Sequence, residues 1–148
     1  MRNRVFTRVA SAVTVSALTL ALVPCAQADD ALGSRFTLAI LPDTQFYSRY
    51  DAPSGGSMFA DRYGSNPFEF QTHFVVDNAK ALNIPFTSHL GDVVDESDVA
   101  DQWDVADKAM KVLEDGKMDY SILPGNHDLR MDGATSAFTQ HFGEDRAK

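Results

Sequence analysis

The residues with the most chemistry in this chain sit in three short polar motifs, each directly after an apolar, strand-like run. Asp43-Thr44-Gln45 follows Phe36 to Leu41, Gly91-Asp92-Val93-Val94-Asp95 follows Phe86 to Leu90, and Gly125-Asn126-His127-Asp128 follows Tyr120 to Leu123. Carboxylate, carboxamide and imidazole are the groups that bind hard or borderline divalent cations. Strand ends are where an α/β sheet gathers residues from distant parts of a chain. Together the motifs read as most of one half of a two-metal hydrolytic site. Such a site needs a bridging carboxylate, ligands that hold each ion separately, and a water between the ions aimed at phosphorus.

Each motif alone also has an ordinary reading. Asp43-Thr44 after Pro42 suits a capping turn, Asp92 and Asp95 suit solvated loop acids, and Gly125-Asn126 is a common turn dipeptide. What favours shared chemistry is the recurrence of the same ligand types at three strand ends. Gly91 and Gly125 fit tight turns where a Cβ would crowd the chain.

The elements that must position these residues appear as hydrophobic patterns. Phe36 to Leu41, closed by Pro42, predicts a buried strand. From Thr44 to Asn66 the chain is polar and Gly/Ser-rich around Pro53-Ser54-Gly55-Gly56-Ser57, which predicts a long loop, either lining the substrate side or simply solvated. Asn66-Pro67 reads as N-cap and first residue of a helix running to about Leu82, with Phe70, Phe74, Val75, Ala79 and Leu82 on one side. Pro85 leads into a second strand, Phe86 to Leu90. Ser97 is placed to cap a helix in which Val99, Trp103, Ala106, Met110 and Leu113 recur at steps of three and four, closed by Asp115-Gly116. Tyr120 to Leu123 predicts a third strand and Thr135 to Phe142 a short helix closed by Gly143. The order β-loop-α-β-α-β is that of right-handed crossover units feeding a parallel sheet, whose carboxyl ends share one edge.

The order Asp-x-Gln, Gly-Asp-x-x-Asp, Gly-Asn-His-Asp resembles the calcineurin-like metallophosphoesterases, with Gln45 where most members have His. The likeness runs from Leu41 to Gly143 and is similar to a secreted, Gln-bearing branch: Leu41-Pro42-Asp43-Thr44-Gln45-Phe46-Tyr47, Phe68-Glu69-Phe70-Gln71-Thr72, His89-Leu90-Gly91-Asp92, Gln102-Trp103 and Phe138 to Gly143. It implies an α/β fold, the β-loop-α-β-α-β half of an αββα sandwich. It also implies hydrolysis of a phosphomonoester or phosphodiester, on a small molecule or a polymer, by a hydroxide held between two divalent ions (Mn, Fe or Zn). By the same resemblance Asp43 and Gln45 bind the first metal, Asp92 bridges the two, and Asn126 binds the second through its amide oxygen. His127 contacts the phosphate or protonates the leaving oxygen, and Asp95 orients its imidazole. Gln45, a neutral oxygen donor, fits a harder cation or a weaker first site. The family's later histidines, a lone one and a Gly-His-x-His motif, are expected beyond Lys148. The alternative expectation is accordingly a non-catalytic, metal-binding remnant. A haloacid-dehalogenase-type phosphatase with Asp43 as nucleophile is disfavoured, because the second acid expected two residues on is Gln45.

Composition narrows the setting. The chain has 148 residues, 13 basic against 21 acidic, and a single cysteine. Arg2, Arg4 and Arg8 precede an apolar run from Val9 to Val23 and the small-x-small sequence Ala26-Gln27-Ala28, the pattern of a signal peptide over residues 1–28 cleaved before Asp29. Residues 29–148 are then the N-terminal part of the metallophosphoesterase domain. The apolar run is short for a transmembrane helix, so the expected protein is secreted or extracytoplasmic and carries no transmembrane anchor after cleavage. Pro24 argues against a lipoprotein anchor on Cys25. Cleavage would remove that cysteine and with it any disulfide. The acidic balance argues against a general nucleic-acid or anionic-membrane footprint. It leaves open a phosphoester at a metal site, where bound cations dominate the local field. His73 and His141 read as solvated or core histidines, His89 as a satisfied core position, and Trp103 as packing. The acids from Asp95 to Asp107 lack the loop pattern of an EF-hand and read as a solvated helix face.

Overall fold

The structure, a computed structural model, describes residues 35–129, 136–144 and 146. The expected signal peptide, Cys25 and Thr135 lie outside the described residues.

Three parallel strands form one sheet in the order β1 (Leu38–Leu41), β2 (Phe86–His89), β3 (Tyr120–Ile122). Ala39 stands opposite Thr87 and Thr87 opposite Tyr120; Leu41, His89 and Ile122 form the next aligned row on that face. Between β1 and β2 come α1 (Gln45–Asp51), a 3-10 turn at Pro53–Gly55, α2 (Met58–Tyr63) and α3 (Pro67–Asn78). Helix α4 (Ala100–Asp115) joins β2 to β3, and α5 (Ser136–Phe142) follows β3. The expected parallel α/β arrangement is therefore present. Successive right-handed crossovers in one direction put their helices on one face, and α3 and α4 pack against each other accordingly.

The core lies between that face and the helices. Leu41, Phe68, Val75, Val93, Val94, Trp103, Ala106, Met110 and Leu113 are its buried centre, with Phe138 and Phe142 of α5 closing one end. Burial of the α4 stripe follows its expected spacing of three and four. Side chains alternate across a strand, so Leu38, Ile40 and Phe86 project from the opposite face of the sheet and are exposed.

Strand β1 is only half buried, against the buried strand expected, since the uncovered face of the sheet leaves Leu38 and Ile40 exposed. Three further expectations need correction. The stretch from Thr44 to Asn66 is mostly helical. The Thr44 carbonyl accepts from the amides of Tyr47 (2.9 Å) and Ser48 (3.0 Å), starting α1, while Ser48 is buried and Tyr47 leans on the core. Only the Gly/Ser centre turns tightly, and there a Cβ on Gly55 would stand 1.7 Å from the Arg49 carbonyl oxygen. Second, α3 ends at Asn78 and its buried face is shifted: Val75 is buried as expected, but with Phe68 and Thr72, while Phe70 and Phe74 are 66% and 51% exposed. Thr72 reaches the inner face because its hydroxyl donates to the Glu69 carbonyl within the helix (3.0 Å), which satisfies it there. The start of α3 is as expected, since Asn66 Oδ1 accepts from the amides of Phe68 (2.8 Å) and Glu69 (3.3 Å) ahead of Pro67. Third, Ser97 does not cap α4. Val99 occupies that position, and the Ser97 carbonyl instead accepts from Trp103 Nε1 (2.9 Å).

The inner face of α3 can be tested by substitution. Phe68→Ala is expected to cost about 3–5 kcal/mol in urea unfolding, and Phe70→Ser less than about 1 kcal/mol. The reverse order would show that the helix buries its phenylalanine pair.

Candidate functional site

Hydrogen bonds at the carboxyl edge of the sheet bring the three motifs together. The Leu90 amide donates to the Leu41 carbonyl (3.0 Å), prolonging the β1–β2 pairing, and the Thr44 amide donates to the Asp92 carbonyl (3.0 Å). The second and third motifs touch backbone to backbone. Gly91 has φ +100°, and a Cβ there would stand 2.7 Å from the Gly125 nitrogen. A Cβ on Gly125 would stand 2.2 Å from Asp92 Oδ1. Both positions require glycine, as the motifs imply.

Asp92 itself has φ +52°, a left-handed backbone that few side chains adopt and that marks strain held by its surroundings. Its Oδ1 accepts from the His127 amide (2.9 Å). His127 Nδ1 donates to the Asp95 carbonyl (2.8 Å) and lies 3.3 Å from Asp95 Oδ1. The Arg49 guanidinium bonds the other carboxylate oxygen of Asp95, which is nearly buried. The Asp95 carbonyl first, then the charges of Asp92, Asp95 and Asp43, outweigh desolvation and raise the imidazole pKa above the usual histidine value.

Asp128 has no role in the sequence reading, yet it is the most heavily bonded side chain here. It is 1% exposed. Its carboxylate accepts from the amides of Val93 (2.9 and 3.1 Å), Val94 (3.0 Å) and Gly125 (2.7 Å). Burial pushes its pKa above the ordinary aspartate value, although those amides favour the anion. Gln102, also buried, does the same for the next segment, with Oε1 accepting from the amides of Asp95 and Glu96 at 3.0 Å each. The signal for both was local: Asp128 closes the third motif, and Gln102 precedes Trp103. Arg49 had no signal, because nothing in its spacing points to Asp95.

His89 is buried with both ring nitrogens engaged, a satisfied core position as expected. Nδ1 accepts from the Gly91 amide (3.1 Å), so the ring proton sits on Nε2 and donates to Thr44 Oγ1 (2.9 Å), which donates on to the Val93 carbonyl (3.3 Å). Burial drives its pKa down to about 4, against an opposing pull from Asp92. Trp103 is core; His73 is exposed; His141 stacks on Trp103 (5.2 Å, 11°) and bonds Asp107 (2.5 Å).

The remaining candidate ligands differ in their surroundings. Asp43 is exposed, with Oδ1 accepting from the Gln45 amide (3.0 Å), and Asn126 is exposed. Gln45 is only 9% exposed, and its side-chain Oε1 is buried without a hydrogen-bond partner among the described residues. Among those residues no three His, Cys, Asp or Glu side chains group closely enough to hold an ion by themselves. The edge instead mixes two carboxylates, Asp43 and Asp92, with two amides, Gln45 and Asn126. An orphaned buried carbonyl oxygen is costly, and it is the donor type that hard cations take. The carboxylate and amide oxygens gathered at the edge are the donor types a divalent cation takes.

The fold and edge define a parallel α/β protein with polar, cation-compatible groups at its strand carboxyl ends. The chain is similar to the uncharacterized protein YvnB of Bacillus subtilis (strain 168), 38% identical over 112 residues that make up 75% of this chain and 8% of that protein. It thus spans about 8% of the length of the relative it matches. No protein-family model and no solved structure matches it. Among the described residues, no helix is long and apolar enough to cross a membrane.

Asp128→Ala strands three backbone amides and is expected to cost about 3 kcal/mol or more. Chemical denaturation checks this, and a loss under ~1 kcal/mol would contradict the clamp. For His89, the folded imidazole holds its proton less well than an unfolded one near 6.5. Its stabilising contribution is complete above about pH 6.5 and falls by about 3 kcal/mol as the pH drops to about 4. Ring 15N shifts should keep the neutral Nε2–H form down to that range; a midpoint near 6.5 rules the buried relay out.

Proposed function

We propose that this edge is the metal-binding side of a phosphoester hydrolase of the calcineurin-like metallophosphoesterase type, acting outside the cytoplasm on a phosphomonoester or phosphodiester. The observation that carries the reading is the gathering of Asp43, Gln45, Asp92, Asn126 and His127 at one edge, with Gln45 Oε1 buried and unpaired. The signal-peptide pattern supports export.

Asp43 and Gln45 would hold one ion, Asp92 would be shared, and Asn126 would hold the second through its amide oxygen. Bound ions would acidify a water and neutralise charge on the phosphoryl oxygens. The chain's own part is positional and electrostatic. The Gly91–Gly125 contact and the His127 amide fix the Asp92 carboxylate before any ligand arrives. His127 commits Nδ1 to Asp95, so Nε2 is the ring atom available to contact or protonate a substrate oxygen. Arg49 neutralises Asp95 on its far side, so an incoming phosphate meets a paired carboxylate.

Calorimetric titration with Mn2+ or Zn2+ checks the ligand set. Asp92→Asn is expected to weaken binding about tenfold or more. Wild-type affinity no higher than that of the Asp92→Asn/Gln45→Ala variant overturns the assignment. Turnover of aryl phosphate esters, compared with Asp92→Asn, tests the reaction class; no difference between the two sinks it.

A further inference from the structure

Helix α1 begins at Gln45, so the element that buries one candidate ligand carries its next residues along the rim of the same edge. Phe46 is 48% exposed, and its ring stacks on Tyr50 at 5.8 Å and 23°. Tyr50 meets Phe59 edge-on (6.2 Å), and Phe59 tilts against Tyr63 (6.2 Å). Arg49 lies against the Tyr50 ring at 5.7 Å, and its guanidinium bonds Asp95, which in turn contacts His127.

Packing explains part of this cluster. Tyr47 leans on the core and meets Phe59 edge-on at 6.1 Å, which fastens α2 to α1. It does not explain Phe46, a half-exposed ring beside a buried polar residue. Phe46, Arg49 and Tyr50 are spaced three and four apart and share one side of the helix. Arg49, on that same side of α1, bonds Asp95, which in turn contacts His127. A stacked pair whose outer ring is half exposed offers a flat apolar surface on which a planar ring can stack.

We propose that Phe46 and Tyr50 form a ring-binding platform beside the phosphate position, selecting phosphoesters that bear a planar aromatic ring over alkyl phosphoesters. The proposal rests on the hydrolytic reading of the edge and adds the substrate class. The ring is a nucleobase or a simple aryl group, which share this stacking chemistry.

Non-hydrolysable phosphonates separate selection from turnover. A nucleoside phosphonate, phenylphosphonate and butylphosphonate are titrated into the Zn2+-loaded chain. At least one ringed ligand is expected to bind about tenfold more tightly than butylphosphonate. Phe46→Ala and Tyr50→Leu should bring that preference within about twofold, while Phe46→Trp keeps it. Thermal midpoints confirm that the variants fold. A nucleoside preferred over phenyl identifies a base; equal affinity for both identifies any aryl ring, and either supports the platform. Equal binding of ringed and butyl ligands by the wild type, a preference that survives the double variant, or no binding of any of the three overturns it. A ring preference without ester turnover sinks the hydrolytic reading and leaves the ring platform standing.

Discussion

The Asp128 carboxylate joins the second and third motifs through the amides of Val93, Val94 and Gly125. Val93 and Val94 are fully buried, so their amides need an acceptor that an apolar core does not supply. Asp128 supplies it across the gap between two strand ends. Once those amides are tied, Gly91 and Gly125 are in contact, Asp92 is held in its left-handed backbone, and its Oδ1 meets the His127 amide. The geometry of the edge thus depends on a buried acid that touches none of the proposed ligands. Burial raises its pKa, so the clamp works against desolvation, and only the convergence of three donors makes the site tolerable.

The sheet explains why these groups share one edge. Parallel strands deliver their carboxyl ends to the same side, and the β1–β2–β3 order places the three motifs as neighbours. Both long helices cover one face, so the core and the His89 relay develop on that side. His89 then links the floor of the edge to the first motif through Thr44, whose carbonyl starts α1. Core, relay and helix start are one hydrogen-bonded unit, and Gln45 is buried because α1 begins there.

Much of this was legible in the chain and the rest was not, for identifiable reasons. Strand positions, the parallel order and the α4 stripe came from short-range patterns that report burial directly. The face of α3 was misread because Phe70 and Phe74 have the right spacing, while the true inner face includes Thr72, whose self-bonded hydroxyl hides its position. The stretch after the first motif read as loop because composition near Gly55 masked two short helices held by ring contacts. At the site, the three motif segments meet at the carboxyl edge of the sheet through the bonds of Thr44 to Asp92, Asp92 to His127, and Asp128 to Val93 and Gly125. Asp128 and Gln102 stand in motifs already quoted, but their roles were not readable because their partners are backbone amides. Arg49 was overlooked because its partner lies far off in sequence.

Two local costs fall at the same place. A non-glycine residue in a left-handed backbone and a buried amide oxygen without a donor each cost on the order of 1–3 kcal/mol. Against a net stability of about 5–15 kcal/mol, both are large. Either could be relieved simply: Gly at position 92 removes the strain, and an aliphatic residue at position 45 removes the orphan. Neither replacement would harm the core, since Asp92 and Gln45 contribute no apolar packing to it. The two costs lie at the ends of strands joined by the Thr44–Asp92 hydrogen bond, and both place an unengaged or strained oxygen donor at the same edge. On the proposed function a cation would act on both, pairing the Gln45 oxygen and taking the Asp92 carboxylate. Asp92 also serves the fold, since its Oδ1 accepts from the His127 amide, whereas no hydrogen bond among the described residues engages the Gln45 amide oxygen.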